Sequence, residues 1–126
     1  MKNLNIPEGY QQIMPYLVVE NAAVFFSFTK NVFDAVERYK AMRTETLIMH
    51  AEISIGSSVI MFADATEQHA KQTAGLFIYV DDCDKIYQKA LANGAVTVME
   101  PADQSYGRSA GVRDPFGNTW WLTTAL

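Results

Sequence analysis

The sequence predicts an α+β domain built from two βαβββ modules whose sheets form a concave cavity. Three observations lead there. Apolar, β-branched runs of strand length recur along the chain, while only two segments carry a helical stripe. The order strand, helix, then three strands occurs twice. At an offset near 60 residues, LVVENAAVFFSFTKNVFDAV lies on FIYVDDCDKIYQKALANGAV without a gap. The 126 residues therefore read as one domain, with modules at about 12–63 and 75–125.

The elements follow in order. Gln12–Glu20 is apolar enough for a strand, with Pro15 marking an edge or a bulge. The residues before it read as a loose lead-in. Asn21 suits a helix N-cap, and Ala22, Ala23, Phe25, Phe26, Thr29 and Phe33 make one stripe. Strands are expected over 35–42, 46–55 and 58–63, with a tight turn at Gly56-Ser57. Residues 64–73 are a polar connection. A strand over 75–80 opens the second module. Asp81 and Asp82 suit a helix start, where the dipole favours negative charge. Ile86, Tyr87, Ala90 and Leu91 form that helix's stripe, and Gly94 stops it. Strands over 95–100, 107–113 and 118–124 complete the module, with a loop at 101–105 and a turn at Asp114-Pro115-Phe116-Gly117.

Composition narrows the function. Area scaling buries about two thirds of the unfolded surface of a chain this long, so a core forms without staples. The hydrophobic fraction of 49% argues against disorder. Ten basic against fourteen acidic residues leave a net charge of −4 and no basic stripe, which excludes nucleic acid as the expected partner. The single cysteine, Cys83, excludes an internal disulfide and a Cys-rich zinc site. No apolar run reaches membrane-spanning length and the first residues lack a signal core, so a cytoplasmic setting is expected.

Each sheet has one face under its own helix, and the opposite faces need either each other or a ligand. Alternation assigns the side chains. In 46–55, Leu47, Met49, Ala51, Ile53 and Ile55 are expected under the helix, and Ile48, His50, Glu52 and Ser54 in the hollow. In 58–63, Ile60 and Phe62 go under the helix, and Val59, Met61 and Ala63 face inward. Asp64 then meets solvent at the strand's end. In the last strand, Trp120 and Leu122 go under the helix, and Thr119, Trp121 and Thr123 face the hollow. One bulge inverts any of these strands.

MPYLVVENAAVFFSFTKNVF, MHAEISIGSSVIMFAD and RDPFGNTWWLTT, set in a paired βαβββ plan, resemble the vicinal oxygen chelate superfamily. That superfamily contains glyoxalase I, bleomycin-resistance proteins, fosfomycin-resistance enzymes and extradiol dioxygenases. The chain is similar in particular to its PhnB-like branch. The resemblance covers nearly the whole chain, and it implies the glyoxalase/bleomycin resistance/dihydroxybiphenyl dioxygenase-like fold and a homodimer. It also implies four inward metal-ligand positions, which fall on Met14, Met61, Leu76 and Trp121. None is an imidazole or carboxylate, so no metal or other cofactor is expected. A hollow lined by Met14, Tyr16, Met61, Leu76 and Trp121, with Arg113 able to clamp an acid, suits a small, partly aromatic ligand. Antibiotic sequestration of the bleomycin-resistance kind is one such function.

His50 and Glu52 are the candidates for chemistry, two apart on one strand face. They read either as a catalytic pair of a glyoxalase-type lyase or isomerase, with or without a relocated metal, or as a hydrogen-bonded polar pair in the hollow. His69 belongs to the polar connection. Cys83, at a helix start, reads as an incidental thiol.

Overall fold

The computed structural model describes residues 1–126. The chain runs β1 (Tyr16–Val19), α1 (Ala22–Phe33), β2 (Val36–Met42), β3 (Ile48–Ile55), β4 (Ser58–Asp64), β5 (Gly75–Tyr79), α2 (Cys83–Ala92), β6 (Val96–Gln104), β7 (Gly107–Arg113) and β8 (Thr119–Ala125). Two four-stranded sheets result, ordered β1-β4-β3-β2 and β5-β8-β7-β6. In each, the first strand pairs in parallel with the last, and the other pairings are antiparallel. The glyoxalase-like α+β plan of two βαβββ modules is therefore present.

The helices form where a buried stripe coincides with a capped start. In α1, Ala22, Phe25, Phe28, Thr29, Val32 and Phe33 are buried at helical spacing. Asn21 stands at the N-cap in the left-handed region, yet its side chain caps nothing. Asp64, at the end of β4, takes that role instead. Its Oδ1 accepts from Ala22 N–H at 2.8 Å and its Oδ2 from Ile48 N–H at 2.7 Å. Asp64 is thus buried, at 5% exposure, rather than turned to solvent. A carboxylate at a helix start is favoured by the orphan N–H groups and the dipole. The second module uses Thr124, whose hydroxyl accepts from Cys83 N–H at 2.8 Å, while Asp82 caps Lys85 N–H.

The helix-side faces of the two modules join in one core of 23 residues. Phe33 of α1 lies 4.6 Å from the Trp120 ring of β8, and Phe25 meets Phe116 edge-on at 5.5 Å. Asp114 holds the turn that carries Phe116. It is buried and accepts from Phe116 N–H, Asn118 N–H, Asn118 Nδ2 and Trp120 Nε1. The opposite faces of the sheets are left open: Tyr39 is 53% and Tyr79 is 70% exposed.

Three strands depart from simple alternation. β2 shifts register between Glu37 and Tyr39, where Arg38 has no partner in the ladder. In the β2–β3 ladder Ala41 pairs with His50 and Met42 with Ile48, so Met49 is the extra residue of a bulge. Ile48 consequently joins the core at 3% exposure, and Met49 turns outward at 45%. Below the bulge the expected parity holds, which keeps His50 and Glu52 on the open face. β6 continues through Pro101 to Gln104 instead of ending at residue 100. It is an edge strand with register shifts, and there a residue lacking an N–H is tolerated.

Candidate functional site

One row of side chains crosses the open face of the first sheet. Register places Tyr39 opposite Glu52, Glu52 opposite Met61, and Met61 opposite Tyr16. His50 stands two residues from Glu52 on the same face, and a hydrogen-bonded chain links these groups. Tyr16 Oη lies 3.0 Å from His50 Nδ1, His50 Nε2 lies 2.7 Å from Glu52 Oε2, and Tyr10 donates to Glu52 Oε1 at 2.5 Å. A neutral imidazole protonated on Nε2 fits every partner, with Tyr16 donating to Nδ1 and His50 donating to the carboxylate. Burial pushes the Glu52 carboxyl up. The hydrogen bonds from Tyr10 and His50, with the nearby Arg38 charge, outweigh that and hold it below the usual range. The hydrogen bond to Glu52 raises the Tyr10 phenol in turn, so its proton stays on oxygen.

The equivalent row of the second sheet carries different chemistry. Met99 stands opposite Gly111, Gly111 opposite Trp121, and Trp121 opposite Phe77. The six-membered ring of the Trp121 indole lies over Gly111. A Cβ built on that glycine would come within 2.6 Å of Cζ3 and 2.8 Å of Cε3. Phe77 packs edge-on against Tyr79 at 5.2 Å and faces Tyr106 at 6.5 Å. Arg113 shares this face by parity with Gly111, and its guanidinium enters none of the ion pairs. Arg108, by contrast, is held by Asp84 and Asp103.

The expected site residues thus fall on three surfaces of one chain. Met14, Tyr16, His50, Glu52 and Met61 share the open face of the first sheet, where a recess of about 400 Å³ lies between Met14, Met61 and the N-terminal segment. Trp121 and Arg113 belong to the second sheet's open face. Leu76 is a correction. It pairs with Trp120, on the helix side, and lines a separate groove of about 540 Å³ at the seam between modules with Pro15, Ile60 and Ile78. The residue sharing a face with Trp121 is Phe77, and Gly75 has its parity. Tyr16 corresponds to Phe77 just as Met61 corresponds to Trp121.

Nowhere do three His, Cys, Asp or Glu side chains gather to hold a metal ion. Of such donors His50 and Glu52 alone meet at the first sheet's row, and they are bonded to each other. Cys83 is buried at the start of α2. Burial, then the charge of Asp84, pushes its thiol up, against the lowering a helix start alone would give.

Sequence reasoning missed Tyr10, Tyr39, Phe77, Tyr79 and Gly111. The two strand-five aromatics were legible from parity. Tyr10 carried no signal, because it sits in a stretch without periodicity.

The family model described as Glyoxalase/Bleomycin resistance protein/Dioxygenase superfamily matches residues 10–122. An uncharacterised protein of Mycobacterium bovis is 31% identical over 122 residues, covering 87% of this chain and 80% of that one. Among solved structures, TioX from Micromonospora sp. ML1 superposes with a TM-score of 0.76 at 22% identity, covering 92% of this chain and 99% of its own. A Bacillus cereus protein described as a putative 3-demethylubiquinone-9 3-methyltransferase, PhnB protein, gives 0.72 at 17% identity, covering 91% and 100%. The fosfomycin resistance protein FosX from Mesorhizobium loti gives 0.69 at 17% identity, covering 92% of each chain.

Proposed function

The chain belongs to the glyoxalase/bleomycin resistance protein/dioxygenase superfamily, and from that premise we propose that it binds a small, partly aromatic molecule on its open sheet faces without a metal ion. The observation that carries this reading is the pair of equivalent rows. Tyr39, Met61 and Tyr16 flank Glu52 in one, and Met99, Trp121 and Phe77 flank Gly111 in the other. Such surfaces offer rings and thioethers for stacking and dispersion. Thioethers, a phenyl ring and an indole are the wrong donors for the divalent ions the superfamily's enzymes use. Antibiotic sequestration is the biological form this binding would take. The PhnB-like branch and a cytoplasmic setting belong to the same proposal. The Bacillus cereus relative supports the first, and no helix is long and apolar enough to cross a membrane.

A homodimer completes the proposal. The chain exposes 7688 Å², about 1,000 Å² more than the ~6,700 Å² expected of a folded monomer of this mass. That excess is close to what one partner contributes to an interface of standard size, about 800 Å². The open faces leave Tyr16, Tyr39, Phe77 and Tyr79 exposed for such an interface.

Elemental mass spectrometry of the purified protein, before and after incubation with Zn²⁺, Ni²⁺, Mn²⁺ and Fe²⁺, tests the metal-free reading. Near-stoichiometric metal that survives dialysis refutes it. A thermal-shift panel of planar aromatics tests binding. Saturation at 100 times Kd stabilises by about 2.7 kcal/mol, a rise of roughly 10 °C for a chain of this length. One observation favours a second reading. His50 and Glu52 stand 2.7 Å apart on the open face, as an acid–base pair of a glyoxalase-type lyase or isomerase would. Turnover separates the two: a lyase or isomerase converts a glyoxalase-type substrate and loses that turnover with alanine at both positions, whereas a binder shows no turnover to lose.

A further inference from the structure

Glu52 is buried, and a buried carboxylate needs its lone pairs matched by donors. One oxygen is matched from within the sheet by His50. The other is matched from outside it, by a phenol on the N-terminal segment. Tyr10 reaches the row from a stretch with neither helix nor strand, donates to Glu52 Oε1, and carries the Arg38 guanidinium 5.0 Å from its ring centroid. The neighbouring tether is Gln11, whose Nε2 donates to Ser57 O at 2.8 Å and whose Oε1 accepts from Val59 N–H at 3.3 Å. Beneath this strap lies the 400 Å³ recess floored by Met14 and Met61. The site thus already shows what it holds: an aromatic ring whose hydroxyl bonds a carboxylate and whose face meets a cation.

We propose that the Glu52–His50 pair is a receptor for a phenolic hydroxyl, and that Tyr10 is its internal occupant, displaced when a phenolic ligand lifts residues 4–12. The inference rests on the reading that the open face binds small aromatic molecules, and it names their class. An aromatic ligand without a hydroxyl that evicts Tyr10 leaves Glu52 Oε1 buried without a donor, so it is disfavoured. A phenol replaces the lost bond in kind. No proton changes owner, because the ligand donates as Tyr10 does.

The test uses p-cresol, the tyrosine side chain as a free molecule, and toluene, which lacks only the hydroxyl. Affinities are measured by calorimetry on the wild-type chain, on Tyr10→Ala, and on Tyr10→Ala/Glu52→Gln. Removing the internal competitor is expected to tighten p-cresol binding at least tenfold, and p-cresol is expected to exceed toluene in Tyr10→Ala by roughly tenfold. The double variant is expected to lose most of that preference. In the wild type, saturating p-cresol is expected to speed amide hydrogen exchange across residues 4–12, a readout that requires no variant to fold. Equal p-cresol affinity with and without Tyr10 overturns the proposal. So does equal binding of p-cresol and toluene to Tyr10→Ala, or a strap whose exchange p-cresol leaves unchanged. If p-cresol and toluene bind alike, this inference alone falls. If no aromatic probe binds any of the chains, the reading of the open face falls with it.

Discussion

Trp121 can serve as a stacking platform only because position 111 has no side chain, and Gly111→Ala tests that dependence. The added Cβ would stand 2.6 Å from the indole Cζ3. Ordinary contact begins near 3.4 Å, so the ring must withdraw by about 0.8 Å or tilt. Overpacking of this kind costs about 1–3 kcal/mol when neighbours are fixed, and less here because Trp121 is only half-buried. A displaced platform forfeits the aromatic pairing with a ligand, worth about 0.5–1.5 kcal/mol beyond area. Affinity for a planar aromatic probe should therefore fall by roughly 2- to 13-fold, with a change in tryptophan emission. The matched control is Gly75→Ala, on the same face, where an added Cβ meets nothing within 4 Å. Fluorescence titration of both variants decides the matter. Unchanged affinity and emission in Gly111→Ala, or an equal loss in Gly75→Ala, refutes the platform.

Three further outcomes follow from the buried groups. Asp114→Ala orphans four donors in the β7–β8 turn that carries Phe116 into the shared core. It should cost about 3–5 kcal/mol, lowering Tm by about 10–20 °C, whereas a shift under 3 °C would show that water replaces the carboxylate without penalty. Glu52, held below its ordinary value of 4.5, contributes stability that is complete above that value and lost as pH falls through the lowered one. The urea-unfolding gap between wild type and Glu52→Gln should therefore be full at pH 7 and shrink below pH 4.5. A gap independent of pH contradicts the bonded carboxylate. The Cys83 thiol, raised by burial, should label slowly with a disulfide reagent at pH 8 and completely in urea. Rapid labelling of the folded chain would place it at the surface.

The architecture was legible because it is local. Strand alternation, two helical stripes and turn residues each occupy a dozen residues or fewer, and their repetition gave the modules. What stayed hidden depends on distant partners. The Asp64 bond joins residues 42 apart, so the sequence showed Asn21 at the N-cap position but not the distant carboxylate that does the capping. The Met49 bulge exists only against β2, and no feature of 46–55 alone shows it. Leu76 was placed among the inward positions by the resemblance, whereas its pairing with Trp120 puts it on the other side of the sheet. His50 and Glu52 were found because i, i+2 spacing survives below the bulge. Tyr10 was not, because its role lies in a contact 42 residues away.

The two rows have diverged from one plan, and their difference bears on how the proposed dimer is built. One carries an acid, an imidazole and phenols, and the other an indole over a glycine. Within a chain the modules meet through their helix-side faces, leaving both rows open. In a dimer where each first-module row faces the partner's second-module row, two equal sites arise, each with one wall of each kind. Mixing chains tests this against sites built within one chain. Let one chain carry Glu52→Gln and the other Gly111→Ala. In the crossed arrangement the mixed dimer concentrates both lesions in one site and leaves its second site intact. Half of the mixed dimer's sites should then bind a phenolic aromatic with wild-type affinity, although neither parent does. Built within chains, every site keeps one lesion and none recovers. Calorimetry on mixed dimers isolated by paired affinity tags, with no wild-type class of sites detected, would rule out the crossed arrangement.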